Sequence, residues 1–190
     1  MRKSLSLLAA AAVLSTAGIA QAATYQIDPT HTNVIWEQLH FGTSTNRGSW
    51  AKKSGTVQFD RAAKTGKVEL TLDMTSVTTG VAPFDAHLKG DDFFAADKFP
   101  TATFVSDKFV FNGDKVSEVQ GKLTMRGQTH PVTLKAVRFN CFDHPMLKRE
   151  VCGGDFESTI KRSQWGVNWG LTMGVADDTK LTIQVEAIKQ

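Results

Sequence analysis

Hydrophobic and polar residues alternate with a period of two through much of the chain. In "KVELTLDMT", Val68, Leu70, Leu72 and Met74 share one face, and Glu69, Thr71, Asp73 and Thr75 share the other. In "KLTIQVEAI", Leu181, Ile183, Val185 and Ala187 oppose Thr182, Gln184 and Glu186. "VQGKLTM" places Val119, Gly121, Leu123 and Met125 together, and Val132, Leu134 and Ala136 repeat the pattern after "RGQTHP". "GTVQFD" adds Val57 and Phe59. One apolar and one wet face per segment predicts antiparallel strands. Gly66, Gly113 and Gly127 sit in the short polar stretches expected of hairpin turns. About eight strands follow, with no long helical crossover between them, so the pattern predicts an all-β sandwich or barrel. No repeat or linker divides the chain, which reads as one domain.

One stretch breaks the alternation. "FDAHLKGDDFFAADKFPTATF" is rich in phenylalanine and bounded by helix signals. Pro83 suits a first helical position and Gly90 a helix stop. Between them Phe84, His87 and Leu88 share a face at i, i+3, i+4 spacing. Asp91 or Asp92 would cap a second turn carrying Phe93 and Phe94. Pro100 returns the chain to extended form after Phe99. Aromatic side chains at this density must pack, and the end of a barrel offers the surface.

The N-terminus changes where this domain begins. Arg2 and Lys3 precede an uncharged, largely apolar run, and Ala20-Gln21-Ala22 fits a small-x-small cleavage site. Residues 1–22 therefore read as a secretory leader and 23–190 as the exported domain. Ser15, Thr16 and Gly18 interrupt the apolar run and argue against a retained membrane anchor. The chain has 22 basic and 19 acidic residues. Loss of Arg2 and Lys3 leaves 20 against 19, so nothing recommends nucleic acid or an anionic membrane as a partner.

Two cysteines remain, Cys141 and Cys152. Export and proximity favour a disulfide over two free thiols. A bridge closing about a dozen residues contributes roughly 3 kcal/mol in the chain-entropy picture. The spacing does not match a zinc site.

Catalytic chemistry is not signalled. The five histidines lack a ligand spacing, and there is no G-x-S-x-G and no glycine-rich phosphate loop. His31 in "IDPTHTNV" reads as a structural hydrogen bonder. Asp85, Asp91 and Asp92 read as capping and solvation rather than a carboxylate pair. A gathering of His31, His40 and Asp85 in one cleft would be the sign of an enzyme. What the residues do offer is apolar capacity: an eight-stranded barrel can hold one small ligand. Trp36, Trp50, Trp165 and Trp169 would furnish aromatic walls or ordinary core.

The order of "YQIDPTHTNVIW", "LHFGTSTNRGSW", "GTVQFD", "DAHLKGDDFF", "FPTATFVS", "GKLTMRGQTHPVTLK" and "IKRSQWG" resembles the YceI-like proteins across essentially the whole exported chain. "NCFDHPMLKREVCGGDF" resembles the disulfide-bearing branch of that family, close to neisserial ubiquinone-binding proteins. The late motif departs from the family's usual Arg-Ser-Asp-Phe-Gly: here Gln164 and Trp165 replace the acid and the smaller ring.

The resemblance implies an extended eight-stranded antiparallel lipocalin-like barrel with a short helical insert, exported to the periplasm. It implies a non-enzymatic carrier or store for a polyisoprenoid lipid, such as ubiquinone, another prenyl quinone or a prenyl phosphate, with no catalytic cofactor. Leu70, Leu72, Phe104, Leu123, Met125, Leu134 and Ile183, with Val68 and Val185, are then expected to face inward. Trp36 and Trp50 are expected to wall the cavity. Phe84, Leu88 and Phe93 are expected to close its mouth, and Arg162 and Trp165 to meet the head group. A strand of about nine residues spans roughly 30 Å, so a long tail must fold or protrude, and a second copy covering it would make a homodimer. The alternative is an envelope interaction module with a filled core.

Overall fold

The computed structural model describes residues 22–190. Residues 1–21 of the expected leader lie outside them. Eleven strands form one sheet that closes on itself. β1 (Ala23–Ile27) and β2 (Asn33–His40) run in succession along the same edge of β11 (Asp178–Lys189). β3 (Ser44–Trp50) pairs with β2, and β4 (Lys53–Asp60) pairs with β1. β5 (Thr65–Asp73) pairs with β4, and β6 (Val77–Thr78) with β3. So β1–β2, β3–β4 and β5–β6 are three kinked strands. The long strands β7 (Thr101–Asn112), β8 (Lys115–Met125), β9 (Gln128–Asp143) and β10 (Glu150–Lys161) complete the circuit to β11. The result is an eight-stranded antiparallel barrel, one of the two architectures the alternation allows and the one the resemblance implies.

The kinks have local causes. Pro29 offers no N–H to the ladder between β1 and β2. Thr32, buried there, exchanges side-chain bonds with the Glu186 backbone, while Asp28 accepts from Thr30 N and pairs with His31 at 2.7 Å. His31 is thus a structural hydrogen bonder. The other two kinks are stitched together: Ala51 N donates to Ser76 O, and Asp73 N donates to Lys52 O. Three neighbouring strands therefore bend at one level.

Beyond that bend β6 has no partner in β7, and the insert occupies the gap. Helix α1 (Ala82–Lys89) has Pro83 in its first turn and ends at Gly90. Asp85 reaches back to accept from Thr79 N at 2.6 Å and from the hydroxyls of Thr78 and Thr79. The expected second, Asp-capped helical turn does not form. Instead Phe94 N and Ala96 N donate to Leu88 O and Lys89 O, folding the segment back on the helix end. Asp91 pairs with Lys98 at 2.9 Å and Asp92 with His87 at 3.1 Å, so neither caps. The β8–β9 turn locks the insert down. Arg126 and Gly127 both take positive φ, as a two-residue hairpin turn requires, and Arg126 Nη1 donates to Phe93 O.

At the opposite end the turns are short and the packing is aromatic. Phe59 stacks on Phe111 at 6.0 Å and meets Phe139 edge-on at 5.6 Å. Cys141 and Cys152, directly opposite in the β9–β10 register, form the expected disulfide. Tyr25 donates to Glu150, which also pairs with Arg61 and Lys189. Among the described residues no helix is long and apolar enough to cross a membrane.

Candidate ligand cavity

Strand parity sends Val34 and Trp36 of β2, Leu70 and Leu72 of β5, and Ala102 and Phe104 of β7 to the inside of the barrel. There they bound a cavity of about 210 Å³. Leu123, Met125, Leu134 and Ile183 continue its wall. Gly48 lies opposite Trp36 in the register, and a Cβ on it would stand 2.6 Å from the indole. The missing side chain lets the indole lie against the sheet.

The insert makes the roof. Phe84, His87 and Leu88 line the cavity together, as their helical spacing predicts, and Phe93 and Phe94 join them from the folded-back segment. Leu88 is only 3% exposed. Phe84 meets Trp36 edge-on at 6.3 Å, and Phe94 packs on Trp50 at 5.7 Å. Opposite the insert, the irregular segment 162–177 completes the mouth with Arg162, Val167, Trp169 and Val175. Trp169 packs on Phe93 at 5.4 Å, so insert and segment touch.

The polar side chains on this wall are few: Gln38, His40, Asn46, His87, Arg162 and Thr179, with the indoles of the tryptophans. Among the described residues, no carboxylate lines the cavity. Arg162 is 5% exposed. Its Nε donates to Ala176 O at 3.0 Å and its Nη1 to Val167 O at 2.9 Å. Nη2 is buried with no partner. Burial pulls the guanidinium pKa down from its ordinary value, and the Asp177 charge opposes that shift. Both Asp177 oxygens are already taken, by Ser163 N at 2.9 Å and Ser163 Oγ at 2.8 Å. The indole Nε1 atoms of Trp36 and Trp50 are likewise buried without a partner. Guanidinium and indole N–H groups donate and never accept. Three cavity-wall residues thus hold unsatisfied donors around apolar space. A buried donor left unpaired costs about 1–3 kcal/mol, so an occupant with acceptor oxygens and an apolar body would satisfy what the protein leaves open.

Of the residues expected at the ligand, thirteen border this cavity: Trp36, Trp50, Leu70, Leu72, Phe84, Leu88, Phe93, Phe104, Leu123, Met125, Leu134, Arg162 and Ile183. Val68 and Val185, expected to face inward, line a second cavity nearer the disulfide end. Trp165 does not border either cavity. It is 1% exposed. Its Nε1 donates to Leu123 O at 3.1 Å, and its ring meets His130 edge-on at 5.1 Å. The bond to Leu123 O ties the turn that carries Arg162 to β8. His40 lines the cavity, but His31 is engaged by Asp28 and Asp85 by the two threonines, so the three do not assemble into one cleft.

Sequence reasoning did not single out Val167, Val175, Thr179 or Gln38 as wall residues. Gln38 and Thr179 bond to each other across β2 and β11, and parity with Trp36 would have placed Gln38 inside. Val167 and Val175 lie in irregular backbone, where no periodicity applies.

A closed antiparallel barrel, roofed by a helical insert and enclosing an apolar cavity, has the architecture of a lipocalin-like binding protein. A YceI-like domain matches residues 25–187, and the chain belongs to the YceI-like family. It is 35% identical over 193 residues to Protein YceI of Shigella flexneri, covering all of both chains. Among solved structures it is similar to Burkholderia cenocepacia BcnA, with a TM-score of 0.70, 27% identity, and coverage of 84% of this chain and 98% of that one. A polyisoprenoid binding domain from Saccharophagus degradans shares the fold at a TM-score of 0.62 and 11% identity, covering 90% of this chain and all of the other.

Proposed function

We propose that the protein is exported to the periplasm and there carries or stores a polyisoprenoid lipid without chemically changing it. The tail lies in the barrel and the head group sits at the mouth, under the insert and against Arg162. The observation that carries this reading is an apolar cavity with Arg162 on its wall, a guanidinium whose buried Nη2 has no partner. The carbonyls of a prenyl quinone such as ubiquinone, or the oxygens of a prenyl phosphate, are acceptors of the required kind. Family membership supports a binding role, and the polyisoprenoid binding domain with the same fold supports the choice of lipid. A cavity of about 210 Å³ weighs against a module whose core is filled.

The test is a binding titration of the delipidated protein with a polyprenyl quinone and with a polyprenyl phosphate, followed by tryptophan emission. Trp36, Trp50 and Trp169 line the cavity and report its filling. Saturable quenching or shift, absent with the same head groups lacking a prenyl tail, is the expected result. No saturable change with either lipid would refute the reading. A tail longer than the barrel would leave its end outside, where a second copy would cover it; a mass doubling on lipid addition is the sign of that dimer.

A further inference from the structure

The barrel interior is divided. A second cavity of about 90 Å³ lies toward the disulfide end. The two spaces share four residues, Leu70, Phe104, Leu134 and Ile183, one each from β5, β7, β9 and β11. Leu70 and Phe104 face each other in the register. These four side chains form a waist between an outer and an inner chamber.

Phe104 is the bulkiest of them, and its position depends on Gly121 of β8. A Cβ at 121 would stand 2.6 Å from Phe104 Cζ. With glycine there the ring lies over the sheet. A side chain at 121 would collide with both the ring and the Val105 carbonyl oxygen, 2.5 Å away. The inner chamber offers nothing to a head group. Its walls are Val68, Val119, Val185 and the rings of Phe59 and Phe139, with the Cys152 half of the disulfide beside them. The one hydroxyl on its wall, on Tyr25, is committed to Glu150. Only hydrocarbon gains by entering, at about 0.8 kcal/mol for each buried methylene.

We propose that the inner chamber receives the far end of the isoprenoid tail, and that the Phe104–Gly121 waist sets the tail length the protein prefers. This rests on the tail-in-barrel reading above. A short-tailed ligand fills the outer chamber alone. A longer one gains affinity by passing the waist, until the ring layer of Phe59 and Phe139 stops it.

The experiment compares two benzoquinones with the same ring, one bearing a single prenyl unit and one a long polyprenyl tail, and repeats the pair as prenyl phosphates. Val68→Phe fills the inner chamber without touching the mouth, and Phe104→Ala opens the waist. Val68→Phe is expected to weaken long-tail binding about tenfold (about 1.4 kcal/mol) and leave the short ligands unchanged. Phe104→Ala is expected to raise the long-to-short preference. Urea denaturation and tryptophan emission establish that each variant folds, and Val185→Phe, which fills the same chamber from another strand, replaces Val68→Phe if that variant fails. Equal effects on both tail lengths, or none, would overturn the waist while leaving the carrier intact. Failure of every prenyl ligand to bind the wild-type protein would overturn both.

Discussion

The two ends of the barrel solve different problems with the same sheet. The disulfide end is built from paired strands and their turns, closed by packed phenylalanines and stapled across β9 and β10. Its polar groups are matched to one another, as in the Tyr25–Glu150 contact. The mouth is built from what is not sheet, namely the insert and the 162–177 segment. Around it Arg162 of that segment, with Trp36 and Trp50 of the adjoining strands, keeps unsatisfied donors. One end holds the barrel together, and the other leaves hydrogen-bonding capacity open for something else. Stability and binding should therefore separate by position along the barrel axis.

Phe59→Ala is the largest expected break of that contrast on the stability side. Phe59 is 5% exposed among Tyr25, Phe109, Phe111 and Phe139. Truncation should cost about 3–5 kcal/mol, read from urea denaturation, while the affinity for a single-prenyl ligand stays unchanged. Next comes the disulfide. Replacing Cys141 and Cys152 together by Ala should cost about 3 kcal/mol in the same assay, again without altering the mouth.

At the mouth the order reverses. Phe84→Ala with Phe93→Ala removes two half-buried rings from the roof. The expected result is a lipid dissociation rate at least about tenfold higher, with a stability loss smaller than that of Phe59→Ala. An unchanged dissociation rate would reduce the insert to a packing element. Arg162→Met keeps the bulk and removes the charge. It also strips the Ala176 and Val167 carbonyls of their donor, at about 1–3 kcal/mol for a buried acceptor left unpaired. The variant should lose less stability than Phe59→Ala and still lose about tenfold in lipid affinity.

The smallest effect is on pH dependence. Glu150 is held below its ordinary carboxylate pKa, first by the Tyr25 hydroxyl, and Asp85 likewise, first by Thr79. A lowered folded pKa stabilises the protein above the unfolded value, and that contribution is lost as pH falls through the folded value. His31 is shifted up, first by its bond to Asp28. Its contribution is present below the unfolded histidine value and fades as pH rises through the folded one. Denaturation midpoints should therefore fall on the acid side below about pH 4, and Glu150→Gln should flatten part of that limb.

The strands were legible because each buries one face, and parity alone then assigns Leu70, Leu72, Phe104 and Ile183 to a common side. Which side is inside required closure of the sheet. The helix was legible from Pro83, Gly90 and the Phe84–His87–Leu88 spacing. Its continuation was not, because the backbone carbonyls of Leu88 and Lys89 capture the amides that a second capped turn would have used. Trp165 stands apart for a related reason. Proximity to Arg162 in sequence suggested a shared site, yet the short turn Arg162–Trp165 commits the indole to Leu123 O. The waist was invisible because it pairs residues from four strands, and Gly121 matters only through the ring it accommodates.

The central claim is that this barrel holds a polyisoprenoid lipid in its own compartment. Native mass spectrometry of the protein purified from its source, followed by extraction and identification of whatever is released, tests it most directly. The account predicts one prenyl quinone or prenyl phosphate per chain, retained by the wild type and depleted in Arg162→Met. A bare polypeptide mass, unchanged after incubation with either lipid, would contradict it.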